Sequence, residues 1–398
     1  MRKLALRALL ASLSIGIASA VCVPIADAAP ALPTADPFYS YSGPLTDITP
    51  GTVLRSRPMS TALPGIATQM LYRTTDQRHR PSVTAAVVIR PPAATGAPRI
   101  VSYQEAYDAL GARCDPSYTV ASGGASVDQG VLAAALSAGY TVVTADYEGE
   151  GLDYGAGQEA GYGTLDGIRA ADHVLGADPA ATPTAMVGFS GGGIATEFAA
   201  ELARTYAPEL HIIGAVEGGL PVNFMRVIDY IDGSPQWSKV LPLVLTGVSH
   251  GFGMDFTPYL SPYGIRIMNQ ARGMCALDTQ RLPVITVKKL LKPEYPDYHK
   301  LSPLIDISDT LTMGKTGTPR FPMLMAAGNS DGTGDGVMIA ADQRALARTL
   351  CERGVPVDFH EFAGADHVTA GALGLTAAMP YLAQRFAGQP PPNTCATQ

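Results

Sequence analysis

The stretch from Thr184 to Arg204 restricts the possible folds of this chain more than any other. Thr184-Ala185-Met186-Val187 is a short apolar run suited to a buried strand, Gly188-Phe189-Ser190-Gly191-Gly192 is a tight turn, and Gly193 to Arg204 has helix-forming composition. A serine hydroxyl is a weak nucleophile. It gains reactivity when a sharp strand-to-helix turn lifts it to where a histidine can take its proton and helix amides can face a developing oxyanion. Gly188 and Gly192 flank the turn because Cβ atoms there would strike neighbouring backbone, and Gly191 offers an N–H to the oxyanion. Gly328-Asn329-Ser330-Asp331-Gly332 repeats the pentapeptide after another apolar run, but Thr333-Gly334-Asp335-Gly336 delays any helix that follows. Ser190 therefore reads as the nucleophile and Ser330 as a turn residue.

The rest of the chain supplies a scaffold for such an elbow. Asp36 to Thr61 is rich in Pro, Ser and Thr and reads as an extended surface arm; Ala67 to Arg73 and Ser82 to Arg90 form an antiparallel strand pair. Strands follow at Arg99 to Tyr103 and Gly139 to Tyr147, with a helix from Val131 to Ser137 between them. After a glycine-rich loop, Leu165 to Leu175 makes a helix with Asp166 near its N-terminus, and His211 to Val216 is the strand after the elbow. This alternation implies a parallel sheet. From Leu220 to about Leu311 the alternation stops, and apolar segments separated by Pro and Gly mark an insertion. Phe321 to Ala327, the helix Ala341 to Arg353, the strand Val355 to Phe362 and a helix to about Phe386 complete the sheet before a Pro-rich tail.

At the N-terminus, Arg2, Lys3 and Arg7 accompany an apolar run to Ile17, and Ala18-Ser19-Ala20 and Ala26-Asp27-Ala28 offer cleavage sites, the pattern of a secretory signal, here read as spanning residues 1–28. Cleavage after Ala28 discards Cys22 and leaves four cysteines, an even number suited to an oxidising compartment; lipidation of Cys22 is the alternative, and Val21 just before it disfavours that. Cys351, near the end of a helix, is expected to pin the tail through Cys395, and Cys114 to pair with Cys275 and tie the loop region after Tyr103 to the insertion. The formal charge of −7 includes a net +2 in the signal, so the mature chain stands near −9 and no nucleic-acid partner is expected. No second run is long and apolar enough to span a membrane. With no His-x-x-x-His pair and widely spaced cysteines, neither a metal nor another cofactor is called for. Trp237, the single tryptophan, reads either as core packing or as a substrate contact.

A serine in this setting needs an acid and a histidine later in the chain, each just beyond a sheet strand. His367, in Ala363-Gly364-Ala365-Asp366-His367, lies in a loop after the last strand; His211 and His360 lie in strands, His250 and His299 in the insertion, and His79 and His173 before the serine. Asp331 and Asp335 both follow the strand ending at Ala327, and spacing alone does not choose between them. A second oxyanion donor should come from the backbone near Tyr107 and Asp108.

Several motifs together resemble the secretory lipase family, of the yeast lipase A type with actinobacterial relatives. They are Asp36-Pro37-Phe38-Tyr39, Pro50-Gly51-Thr52-Val53-Leu54, Ser102-Tyr103 through Tyr107-Asp108, Asp146-Tyr147-Glu148-Gly149, Gly188 to Gly193, and Gly332-Thr333-Gly334-Asp335. The resemblance implies an α/β-hydrolase fold with a helical cap between nucleophile and acid, and hydrolysis of acylglycerols and simpler esters. It places the acid on Asp335 and the second oxyanion donor on Asp108. The chain departs from the family pattern at Gly336, where an acidic residue is usual, at Phe189, which replaces a common tyrosine, and in lacking a proline shortly after the acid. The expectation is a secreted or envelope-retained serine ester hydrolase acting on acylglycerols or other esters, with a lipid–water interface as one setting for it. Its core would be residues 29–219 and 312–398, and its cap residues 220–311, lining the acyl site. An acyltransferase or peptidase on the same fold, or a silent binding protein, are the competing readings.

Overall fold

The computed structural model describes residues 30–92, 96–123 and 127–397; the expected signal segment and Cys22 lie outside them. Among the described residues, strands β1 (Val53–Met59), β2 (Ile66–Thr75), β3 (Pro81–Arg90), β4 (Ile100–Gln104), β5 (Thr141–Ala145), β6 (Thr184–Phe189), β7 (Ile212–Gly218), β8 (Met323–Asn329) and β9 (Val357–Ala363) form one sheet in the order β1-β2-β3-β5-β4-β6-β7-β8-β9. The first three pair antiparallel, β3 meets β5 antiparallel, and every pairing from β5 to β9 is parallel. Helices are α1 (Pro116–Ser122), α2 (Val127–Ser137), α3 (Gly157–Leu175), α4 (Gly191–Tyr206), α5 (Phe224–Ile231), α6 (Leu241–Gly251), α7 (Pro262–Ala271), α8 (Val287–Leu290), α9 (Ser302–Leu311), α10 (Ala340–Glu352) and α11 (His367–Phe386).

The central strands are buried on both faces, which is why β5 reads Thr-Val-Val-Thr-Ala without polar alternation. On one face Met70, Val143, Met186 and Met323 pack with Leu165 and Ile168 of α3, Phe198 of α4 and Leu346 of α10; on the other Val87, Val142 and Val187 pack with Leu132 of α2 and Tyr381 of α11. Helices α5 to α9 fall between β7 and β8, and their apolar sides join the first of these clusters through Phe224, Ile228 and Leu241. This is the α/β-hydrolase arrangement with an inserted, mainly helical region.

Three readings of the sequence need correction. The Pro-, Ser- and Thr-rich arm contains β1, an edge strand whose half-exposed residues carry no strong alternation. Helix α3 starts at Gly157, not Leu165, so Asp166 lies in mid-helix, accepting from Thr74 Oγ1 and Tyr206 Oη and bridged to Arg169. The glycines in its first turns serve close packing: a Cβ on Gly161 would come within 2.8 Å of the Phe198 backbone. His367 is the first residue of α11 and not part of a loop; Asp366 caps that helix by accepting from Thr369 N at 2.8 Å.

Candidate active site

Strand β6 delivers Ser190 into the turn at φ 59° and ψ −122°, and α4 begins at the next residue. The turn is over-determined. Ser190 N donates to Gly218 O at 2.9 Å, a Cβ on Gly188 would lie 2.1 Å from Gly192 O, and one on Gly192 would lie 2.0 Å from Gln104 O. Gly191, Gly192 and Gly193 form the first turn of α4, where backbone N–H groups have no partner within the helix.

His367 Nε2 lies 2.8 Å from Ser190 Oγ, and its Nδ1 lies 2.8 Å from Asp335 Oδ2. Asp335 is buried, its Oδ1 accepts from the N–H groups of Val337 (2.9 Å) and Met338 (2.7 Å), and its backbone carbonyl accepts from His367 N at 2.9 Å. The carboxylate is thus held on one oxygen by backbone while the other faces the imidazole. Asp331 stands apart: its Oδ1 accepts from Thr333 N and Gly334 N, and its Oδ2 from the Tyr230 hydroxyl. Ser330 sits in the same turn, its N and Oγ both directed at Gly334 O. The structure therefore brings Ser190, His367 and Asp335 together and leaves Ser330 and Asp331 in the turn. The imidazole meets two rings, Phe189 at 5.1 Å and Trp237, edge-on, at 5.3 Å, so the lone tryptophan contacts His367.

Asp108 closes the other side. It has a positive φ of 42°, and its Oδ1 is so near Gly191 that a Cβ there would approach to 1.7 Å. Burial pushes its carboxyl up to about 6, partly opposed by the charge of His367 and a hydrogen bond from Tyr154. Glu148 is buried beside it and is driven well above the usual carboxylate range by burial and then by the Asp108 charge. Glu148 also anchors the loop, accepting from Ala109 N at 3.1 Å, while its own N–H donates to the Tyr107 hydroxyl at 2.7 Å. The loop is tied to the insertion by the Cys114–Cys275 disulfide and by paired backbone bonds between Leu110 and residues 273 and 274; Cys351–Cys395 fastens the tail beside β9. Glu148, Tyr154 and Tyr230 escape a reading of the sequence, because their roles arise only where separate segments meet. Only Glu148 had a signal, its place in the Asp-Tyr-Glu-Gly motif.

Residues 119–394 match the profile of the family described as Secretory lipase. The chain belongs to the secretory lipase family. A Mycobacterium tuberculosis protein named "Probable inactive lipase MT1628" is 33% identical over 390 residues, covering 91% of this chain and 84% of that one. Lipase A of Moesziomyces aphidis is 28% identical, covering 98% and 88%. Among solved structures, Candida antarctica lipase A is 28% identical with a TM-score of 0.84, covering 92% of this chain and 89% of that chain; in its closed state the TM-score is 0.85. This secretory lipase is a serine ester hydrolase. No helix among its described residues is long and apolar enough to cross a membrane.

Proposed function

We propose that this secretory lipase cleaves acylglycerols and simpler esters through an acyl-enzyme on Ser190, with His367 as general base and acid and Asp335 as its orienting carboxylate. The observation that carries the reading is the unbroken relay from Ser190 Oγ through both ring nitrogens of His367 to Asp335, with 2.8 Å at each contact. Ser190 Oγ attacks the ester carbonyl carbon as Nε2 takes its proton, and Asp335 stabilises the imidazolium. The carbonyl oxygen becomes an oxyanion facing the N–H groups of Gly191 and Asp108. Collapse expels the alcohol, which takes the proton back from Nε2. Water then repeats the sequence on the acyl-enzyme and restores Ser190.

An apolar cavity of about 60 Å³ between α4 and the insertion, with Ile194, Phe198, Ile228, Leu241, Val244 and Met338 among its walls, supports an acyl site on that side of Ser190. That volume is about two water molecules' share of the liquid, and its walls suit a few carbons of hydrocarbon better. We assign residues 220–311 to the cap and residues 29–219 and 312–398 to the core. The cationic and apolar pattern of residues 1–28 supports export and cleavage after Ala28, with the mature chain outside the cell or in its envelope. N-terminal sequencing of the exported protein tests that site. The name of the mycobacterial relative raises a silent hydrolase as the second reading, and the intact relay speaks against it. Chromogenic esters of short and long acyl chains, a triacylglycerol emulsion and a matched amide separate the readings: ester turnover that Ser190→Ala removes is expected. Amide turnover alone, or no turnover of any of them, would sink the proposal.

A further inference from the structure

We infer that Tyr230 of α5 is a positioning residue for the relay, gripping the acid loop so that the seating of the insertion on the core sets how Asp335 meets His367. This rests on the roles given above to Asp335 and His367. Phe224, Ile228 and Ile231 bury one side of α5, which directs the half-buried Tyr230 toward the loop from Asp331 to Met338. Its hydroxyl donates to Asp331 Oδ2 at 2.8 Å and accepts from Gly336 N at 3.1 Å. The second contact reaches the acid itself. The peptide unit joining Asp335 to Gly336 is held at both poles, its carbonyl by His367 N at 2.9 Å and its N–H by Tyr230. Rotation of that unit would carry the Asp335 carboxylate away from the imidazole, and Gly336, at φ +96°, adds no side chain to resist it. Asp331 braces the start of the same loop by accepting from Thr333 N and Gly334 N. Its carboxyl is held below the ordinary range, first by the Gly334 N–H, while the Tyr230 hydroxyl is pushed up to about 12, chiefly by desolvation and then by Asp331. Donor and acceptor therefore keep their roles at neutral pH.

The test uses the full mature enzyme and a short chromogenic ester. Tyr230→Phe keeps the ring and removes both hydrogen bonds. Turnover should fall about five- to tenfold with KM within about twofold, the loss of one or two modest hydrogen bonds felt at the transition state. The acidic limb of the kcat/KM profile should move down by about half a pH unit, because a loosened carboxylate stabilises the imidazolium less. Asp331→Ala should lose turnover in the same way, Asp331→Asn, which keeps an acceptor oxygen, should recover most of it, and the double variant Tyr230→Phe/Asp331→Ala should lose less than the product of the two. Wild-type turnover and pH profile in a folded Tyr230→Phe would overturn the inference. Should that variant melt early, unchanged turnover in Asp331→Ala would overturn it equally. Asp335→Asn is the control: if it kept activity, the relay assignment would fail first, whatever Tyr230 does.

Discussion

Ser190 occupies backbone space that costs a non-glycine residue about 1–3 kcal/mol, and its surroundings impose that conformation. The carbonyls of Gly192 and Gln104 leave no room for a Cβ on Gly188 or Gly192, and the N–H of Ser190 is fixed on Gly218. Strain maintained so firmly at a hydroxyl 2.8 Å from an imidazole is the strongest residue-scale sign of a nucleophile. Ser190→Ala should lower kcat at least about 10⁴-fold. Ser330→Ala, which removes a 3.2 Å bond to Gly334 O inside a turn, should stay within about twofold. An organophosphonate label mapped to a peptide checks both, and a label on Ser330 would reverse the assignment. Asp335→Asn should cost about 10³- to 10⁴-fold, since an amide cannot both hold the imidazole tautomer and stabilise its charge. Asp331→Asn should cost no more than about twofold. Equal losses in steady-state assays would return the acid to the ambiguity that spacing alone left.

Among the elements, the elbow was legible because strand, turn and helix are contiguous and each part carries its own local signal. Other features were hidden for physical reasons. Among the described residues, strand β1 pairs only with β2 at a sheet edge, so burial imposes little pattern on its side chains. The first two turns of α3 are rich in glycine because α3 packs against α4 and the Tyr147 backbone, and glycine in sequence says turn more often than contact. The apolar content of the insertion was visible, but which side chains face inward is a tertiary matter. Val244 on α6 is one that does: it lines the apolar cavity and its Cγ2 would be 2.8 Å from a Cβ on Gly155. Val244→Phe should therefore lower kcat/KM for long-chain esters about tenfold relative to acetate or butyrate esters. An unchanged selectivity ratio in a variant of normal melting temperature would remove the cavity from the acyl path.

At the scale of the molecule, a formal charge of −7 treats every carboxyl as ionised, and the interior shows why that misleads. Glu197 and Glu201 of α4 and Glu217 of β7 are buried together, with Glu201 held by the N–H groups of Gly314, Thr316 and Gly317 where the insertion returns to the sheet. Burial pushes Glu217 up to about 8 and Glu197 well above the usual range. Desolvation likewise drives Glu105 up to about 8 and Asp146 up to about 7. The native chain therefore keeps protons that the unfolded chain releases above its ordinary carboxyl values near 4. Between there and pH 8 the unfolded state binds fewer protons than the native state, so stability must fall as pH rises, by up to about 1.4 kcal/mol per pH unit for each such group. Carboxylates held low by partners, such as Asp36 beside Arg57, act in the opposite sense only below that window. The melting temperature should drop by several degrees from pH 5 to pH 8.5. Glu217→Gln, which leaves an uncharged group of the same shape, should flatten the slope by about one proton and melt higher than wild type at pH 8.5. Calorimetry across that range decides it: a melting temperature that rises with pH, or a slope that Glu217→Gln leaves untouched, would mean that these buried carboxyls do not govern the stability of the fold.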